Sequence, residues 1–185
     1  ATNLIDGSYA KTLGYYGVND GGKALYKITE NQPQNFYEEL ENGLYAELIY
    51  DNEVNIKQFG AKGDGETIDS NSLLFACETN KTIIIPSGNY IIDTSITVNK
   101  LDLKGLENSK LIINNTINVS NLSINNLEIT GSAAILFNLN GNNCSINAQN
   151  CYCHSNLSNY CFYSYPNENV YSNFEASDEV MNLVD

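Results

Sequence analysis

The chain of 185 residues contains no arginine and no tryptophan, and it has one histidine and one methionine. Its nine basic residues are therefore all lysines, and 22 acidic residues bring the formal net charge to −13. No lysine follows Lys110. Binding to duplex nucleic acid or to an anionic membrane surface requires clustered cations. The composition therefore argues against both as partners.

Long apolar runs are also missing. No stretch of the sequence approaches the roughly 18 apolar residues that a membrane-spanning helix needs. The first residues, ATNLIDGSYAKTLGYY, lack the basic start and the apolar core of a signal peptide. The sequence therefore predicts neither a membrane span nor a signal peptide.

Cysteine is present in an odd number, which would leave one thiol over in a pure disulfide framework. Four of the five cysteines cluster with the histidine, at Cys144, Cys151, Cys153, His154 and Cys161. These are possible metal ligands, but the spacing lacks the C-x2-C and H-x3-H pairs of ordinary zinc modules. Residues i and i+2 share one face of a strand, so Cys151 and Cys153 are expected to point inward as small apolar residues. Buried thiols are the expected state, with a disulfide or a zinc site as alternatives, and no cofactor is predicted.

Residues 1–50 differ from the remainder of the chain. Turn signals such as Asp6-Gly7 and Asp20-Gly21-Gly22 separate short tyrosine-rich runs. This pattern predicts a small β-rich module, which would serve for attachment or as an adaptor. An acidic hinge, Tyr50-Asp51-Asn52-Glu53, leads into a second unit at residues 54–185.

A repeat of about 21 residues dominates residues 82–165. LDLKGLE (101–107) aligns with LSINNLE (122–128) and CSINAQN (144–150), at offsets of 21 and 22 residues. Three columns result: Leu101, Leu122 and Cys144; Leu103, Ile124 and Ile146; and Leu106, Leu127 and Gln149. Short strands with Asn and Gly turns at this period indicate a solenoid. Three short sides plus turns fill one coil of a parallel β-helix, and the leucine-rich-repeat pattern fits poorly. About four to five coils are expected, with stacked Asn residues bonding as ladders at the turns.

The stretch FGAKGDGETID, residues 59–69, precedes the one predicted helix. Asp69 or Ser70 would cap that helix, residues 73–77 would form its apolar face, and it would end by Asn80. Such a helix can cover the open end of a solenoid. The stretch matches neither a phosphate-binding loop nor a calcium loop. The motif is therefore predicted to be structural, and its glycines would permit a tight turn of positive φ. The motif residues are Phe59, Gly60, Gly63, Asp64, Gly65 and Asp69.

The segment VNIKQFGAKGDGETIDSNSLLFACE, followed by TIIIPSGNYII, resembles the start of the pectate-lyase-like β-helix superfamily. It looks most like the tailspike, tail-fibre and preneck-appendage proteins of tailed bacteriophages. The resemblance covers residues 10–92. It departs at Ile68-Asp69, where the family usually has two acids. It implies an all-β fold: a right-handed parallel β-helix with a short N-terminal capping helix, preceded by a small β-rich module.

The same resemblance implies a biological setting. The protein would be made in the host cytoplasm and would end in the virion, in the tail or an appendage. It would form a homotrimer, contact other phage tail or neck proteins, and bind a host surface glycan. Its expected role is host-surface adsorption, or linkage of an adsorption domain to the particle.

Enzymatic activity is the main alternative, because the superfamily includes lyases and hydrolases of acidic polysaccharides. The lyases resemble one another in using an arginine base, which this chain lacks, and the polygalacturonase-like motifs NTD, DD, GHG and RIK are absent. One candidate catalytic pair remains, because the 21-residue offset would place Glu107 beneath Glu128. Neighbouring strands lie about 4.8 Å apart, close to the roughly 5–5.5 Å between the carboxyl groups of retaining glycosidases. The sequence favours a structural virion protein over a glycan depolymerase or a secreted bacterial adhesin of the same fold.

Overall fold

The N-terminal part of the protein is a small antiparallel sheet. The computed structural model of the chain describes residues 4–140, 144–155, 160–164 and 170–175. Four strands form the sheet in the order β1-β2-β4-β3: β1 Tyr9–Lys11, β2 Leu25–Thr29, β3 Tyr37–Glu39 and β4 Tyr45–Ile49. One face is buried through Tyr26, Ile28, Ala46 and Leu48. No helix in the described ranges is long and apolar enough to cross a membrane.

Every later strand pairs in parallel and belongs to a solenoid. The elements are β5 Glu53–Asn55, a 3-10 helix Ile56–Phe59, β6 Asp64–Ile68, helix α1 Ser70–Glu78, β7 Thr82–Ile85, β8 Gly88–Ile92, β9 Ile96–Gly105, β10 Ser109–Ile113, β11 Ile117–Asn125, β12 Glu128–Gly131, β13 Ile135–Leu139, β14 Cys144–Gln149, β15 Tyr152–Ser155, β16 Tyr160–Ser164 and β17 Val170–Glu175. The antiparallel sheet ends at Ile49 and the solenoid begins at Glu53. Division of the chain into two domains near residue 50 stays a prediction.

The solenoid has three faces. The first halves of β9 and β11 pair with β13 and β16 and form the first face. The second halves of β9 and β11 lie with β5, β7, β14 and β17 on the second face. Strands β6, β8, β10, β12 and β15 form the third face. The predicted parallel β-helix is confirmed, with about four turns, one α-helix and an antiparallel sheet at its N-terminal side.

Alternating burial fills the interior of the coils. Strands such as β10 bury every second side chain, including Leu111 and Ile113. On the first face, the rings of Phe137 and Phe162 stack at 5.7 Å between neighbouring coils. Each fully buried aliphatic or aromatic side chain contributes about 1.5–3 kcal/mol relative to exposure. The core is therefore continuous along the solenoid axis.

The predicted columns are right for two coils and wrong for the third. Leu101 lies beside Leu122 and Leu103 beside Ile124, at the expected offset of 21 residues. Leu122, however, lies beside Ile146 and not beside Cys144. The next coil is longer, so the register moves by two residues. A two-residue shift keeps every side chain on its face, and the burial pattern therefore fits both registers equally well.

Asparagines stabilise the solenoid in two ways. At the corner between the second and third faces, Asn108, Asn126 and Asn150 adopt positive φ in successive coils. The Asn126 side chain there donates to the Gly105 carbonyl at 3.0 Å. The clearest side-chain ladder lies instead on the first face, where Asn138 donates to Asn118 at 2.8 Å and Asn118 donates to Thr97 at 3.3 Å. This ladder joins strands and not turns, whereas the corner asparagine Asn126 bonds a backbone carbonyl.

Helix α1 takes the place of a first-face strand in the first coil. Leu73, Ala76 and Cys77 are buried as predicted, whereas Leu74 and Phe75 are 37% and 39% exposed. The prediction was wrong for these two because five consecutive residues span more than one face of a helix. The Phe75 ring contacts the Phe36 ring of the antiparallel sheet region at 5.3 Å. Helix α1 therefore lies between the solenoid and the N-terminal module.

Candidate functional site

The turn that begins at Gly60 is organised by Asp69. Its carboxylate accepts the backbone N–H groups of Lys62 at 2.8 Å and Gly63 at 3.1 Å, and the residue is only 1% exposed. Asp69 occupies the N-cap position of α1 but makes no side-chain capping bond, so the predicted side-chain cap by Asp69 is wrong. Its carboxylate binds the preceding loop instead, and we call these two hydrogen bonds the Asp69 clasp. Burial raises the pKa of Asp69, and the two N–H donors oppose that rise.

Glycine is required where this turn meets the core. Gly60 ends the 3-10 helix with φ 87°, and Gly63 has φ 62°. A Cβ on Gly63 would lie 2.5 Å from the ring of Tyr90, which is fully buried beneath it. Phe59 is buried next to this turn and packs edge-on against Phe36 at 5.0 Å. The geometry favours the architectural interpretation of the glycine motif.

Asp64 folds the loop back on itself. Its carboxylate accepts the N–H groups of Glu66 at 2.9 Å and Thr67 at 2.7 Å, together with the Thr67 hydroxyl at 2.8 Å. These donors lower its pKa to about 2, and the Thr67 N–H makes the largest contribution. Gly65, with φ 78°, allows the chain to reverse beside it. The oxygens that a calcium ion would need are thus engaged with protein donors.

The lowered pKa of Asp64 predicts that the protein loses stability in acid. The pKa in the folded state lies below the ordinary value of 3.8, so the stabilisation is complete above that pH and is lost as the pH falls towards about 2. We expect the urea midpoint of wild type to fall more steeply between pH 4 and pH 2 than that of Asp64→Asn. Asp93→Asn, at an exposed acid, should keep the wild-type slope. Equal slopes for wild type and Asp64→Asn would contradict this assignment.

The candidate catalytic pair is not assembled as predicted. Glu128 begins β12, where it is in register with Lys110, and its carboxylate lies 2.5 Å from the Lys110 ammonium. Glu107 lies exposed in the corner between β9 and β10. That corner is longer than the one between β11 and β12. Residues that lie side by side on β10 and β12 of the third face, such as Lys110 and Glu128, are therefore 18 positions apart in the sequence. The 21-residue offset of the second face therefore does not carry over to the glutamates.

The cysteines are distributed over several coils. None of the five forms a disulfide, and the described residues contain no group of three or more His, Cys, Asp or Glu side chains placed to hold a metal. Cys144, Cys153 and Cys161 are buried as predicted. Cys151 is half-buried at a corner, and its thiol donates to the carbonyls of Gln149 and Ile124 at 3.0 and 3.4 Å. His154 lies on β15, and its side chain is outside the described part of the structure.

A groove of about 940 Å³ lies where the antiparallel sheet meets the first coil. Lys11 and Lys23 contribute cations to its lining, and Asp51 and Glu53 contribute carboxylates. Exposed apolar surface and an aromatic ring come from Leu13, Ile49 and Tyr50. Neither lysine has an ion-pair partner among the described residues. No motif in the sequence indicated this groove, because residues from both parts of the chain form it. The only local signal was the presence of lysines among tyrosine-rich runs.

These features define the class: a capped parallel β-helix that carries a small β-rich module at its capped end. A family model described as "Rhamnogalacturonase A/epimerase, pectate lyase-like" matches residues 53–164. The chain belongs to this pectate-lyase-like β-helix family. The matched range begins with β5 and ends with β16, so it covers every described strand of the solenoid except β17.

A solved structure supports the same fold. WceF of Pantoea stewartii is described as a glycan biofilm modifying enzyme with a bacteriophage tailspike-like parallel β-helix fold. It matches with a TM-score of 0.68 at 11% identity, over 86% of this chain. The chain spans only 29% of that protein's length. No curated protein sequence matches the chain.

Proposed function

We propose that the chain is part of a tailspike-like appendage of a tailed bacteriophage, serving host-surface adsorption or linking an adsorption domain to the virion. The observation that carries the proposal is the seating of the antiparallel module on the capped end of the solenoid. The Tyr16 hydroxyl donates to the Gly60 carbonyl at 2.8 Å, directly on the glycine turn. Phe36 adds ring contacts to Phe59 and Phe75.

Polar contacts extend this junction along the first coil. The Asn55 side chain donates to the Gly21 carbonyl at 3.4 Å, and the Gln58 side chain donates to the Lys23 carbonyl at 3.2 Å. A junction held by apolar rings and by side-chain hydrogen bonds resists bending. A stiff connection suits a protein that transmits contact at a cell surface to a particle.

The groove supports attachment on the side of the module. Lys11 and Lys23 provide positive charge on a chain whose net charge is −13. A partly apolar segment of another tail or neck protein that carries charges of both signs would complement the two lysines and the carboxylates of Asp51 and Glu53. Its apolar side chains would cover the exposed side chains of Leu13 and Ile49. The attachment role of residues 1–50 is therefore part of the proposal.

The native mass tests the proposed trimer. Light scattering on a sizing column should give close to three times 20.4 kDa. Because the chain is strongly acidic, copies of it repel one another, and salt screens this repulsion. The measurement should therefore be made at low and at moderate ionic strength. A monomer at every concentration and salt level would count against a trimeric spike built from this segment alone.

The proposed location in the virion has its own test. Peptides of this chain should be found by mass spectrometry in purified phage particles from the source, at a constant ratio to the tail proteins through a density gradient. Recovery only in the culture supernatant, away from particles, would favour the secreted adhesin.

A glycan-modifying enzyme is the second candidate, favoured by the description of the family model and of the WceF structure. In that case the carboxylates on the solenoid surface would be expected to act on a sugar. Glu128 is held by Lys110, whereas Glu107 is exposed in its corner, with no hydrogen bond or ion pair from its side chain among the described residues.

Replacing both glutamates separates the two candidates. For a structural protein, Glu107→Gln with Glu128→Gln should leave host-cell binding unchanged, and neither wild type nor variant should release reducing ends from host polysaccharide. The fold should survive, because a half-buried surface ion pair such as Lys110–Glu128 contributes only about 0–1 kcal/mol. Release by wild type that is lost in the variant would establish the enzyme.

A further inference from the structure

Two cysteine thiols meet where the third face of the solenoid passes into the first. Cys153 lies on β15 and is 5% exposed, and Cys161 lies on β16 and is 9% exposed. The side chains of Cys153 and Cys161 hydrogen-bond to each other. The two residues follow one another around the same coil, on the strands β15 and β16.

The preceding coil shows what these positions normally hold. Cys153 is in register with Ile129, and the pairing of β16 with β13 places Cys161 beside Leu136. Ile129 and Leu136 are both fully buried. The repeat therefore substitutes two thiols for two aliphatic side chains at one corner, at positions that need only apolar volume.

We propose that Cys153 and Cys161 form a site of covalent cross-linking, where oxidation joins the third and first faces of one coil by a disulfide. The oxidant would be a low-molecular-weight disulfide such as oxidised glutathione. A thiolate of one cysteine attacks a sulfur of glutathione disulfide and releases one glutathione; the second cysteine then displaces the other glutathione. Two protein thiols become one cystine, and one glutathione disulfide becomes two glutathione molecules.

The surroundings determine how fast this reaction occurs. The hydrogen bond to Cys161 and burial both raise the pKa of Cys153. Thiolate is the attacking species, so the folded, reduced protein reacts slowly, and oxidation accompanies folding or opening of this coil. Once formed, the cross-link restricts the unfolded chain and stabilises the coil. The inference concerns the chain itself and is independent of any role in a virion.

The other cysteines provide matched controls. Cys77 is buried in α1, and Cys144 is buried on β14. Cys151 is the near competitor, because it precedes Cys153 by two residues and its thiol bonds backbone carbonyls. Cys77→Ala and Cys151→Ala should each retain the cross-link, whereas Cys153→Ala and Cys161→Ala should each lose it.

The experiment refolds the full chain from urea in buffers of reduced and oxidised glutathione, followed by acid quenching and alkylation under denaturing conditions. We expect three alkylated cysteines instead of five in wild type, a mass lower by two hydrogen atoms before alkylation, and a higher urea midpoint that returns to the reduced value with dithiothreitol. Chymotryptic mapping, with cleavage after Tyr160, should recover Cys153 and Cys161 in one linked species. Five alkylated cysteines in the oxidising buffers, or a link that involves another cysteine, would overturn the proposal. The wild-type peptide map decides this even if an alanine variant fails to fold.

Discussion

Replacing Gly131 by alanine is expected to lower the free energy of unfolding by about 3 kcal/mol or more, because the added methyl group has no room. Gly131 ends β12 on the third face. A Cβ there would lie 1.8 Å from the carbonyl oxygen of Ile113 and 2.5 Å from its carbonyl carbon. These atoms are backbone of the neighbouring coil, so the coils must separate locally. Such a loss is a large part of the 5–15 kcal/mol that stabilises a typical domain.

The same chain offers a matched control for this substitution. A Cβ on Gly17 would meet nothing within 4 Å, and its backbone does not have the positive φ that disfavours alanine. Gly17→Ala should be neutral or should stabilise by about 0.4–1 kcal/mol through the unfolded state. Gly105→Ala should behave like Gly131→Ala, because its Cβ would lie 2.0 Å from the Asn126 carbonyl oxygen. Urea unfolding followed by circular dichroism gives the midpoints of wild type and of the three variants. Equal midpoints for Gly131→Ala and Gly17→Ala would refute the close approach of the coils at Gly131.

The fold was predictable because the coils repeat a local pattern. Alternation in LDLKGLE and LSINNLE requires an apolar interior on one side of each strand, and the common offset requires the strands to stack. The register of β14 was not predictable, because a shift of two residues leaves the alternation intact. Its correct value depends on the length of the corner before β14, which apolar periodicity does not encode.

Only the parts of the candidate site that lie within one short segment of the sequence were predictable. The glycines at 60, 63 and 65 have the positive φ that the motif requires. The Glu107–Glu128 pair failed because corners of different length shift the third face relative to the second. The groove near Lys11 and Lys23 arises where a sheet meets a coil, from residues up to 47 positions apart. No sequence pattern within either segment predicts the contact between the sheet and the coil.

The clasp by Asp69 gives the second large expected effect. Asp69→Ala removes the acceptor of two part-buried N–H groups, those of Lys62 and Gly63. A buried donor left without a partner costs about 1–3 kcal/mol, so two would cost about 2–6 kcal/mol. Because these two are only part-buried, we expect a loss in the lower part of that range, about 2–4 kcal/mol in the free energy of unfolding. Asp93→Ala, at an exposed acid, should change it by less than about 0.5 kcal/mol. Asp69→Asn keeps the size of the side chain and one acceptor oxygen, and it should fall between the two.

The Asp69 variants also test the connection between the two parts of the chain. The loop that Asp69 holds carries Gly60, whose carbonyl accepts the Tyr16 hydroxyl of the module. If the clasp positions that loop, Asp69→Ala should increase hydrogen exchange at the amides of residues 60–65 and also at Tyr15 and Tyr16, while the amides of β10 and β11 stay protected. Increased exchange confined to residues 60–65 would show that the module holds its position without the clasp. Unchanged exchange at Lys62 and Gly63 would show that Asp69 does not hold the turn, because those two amides are the donors that it binds.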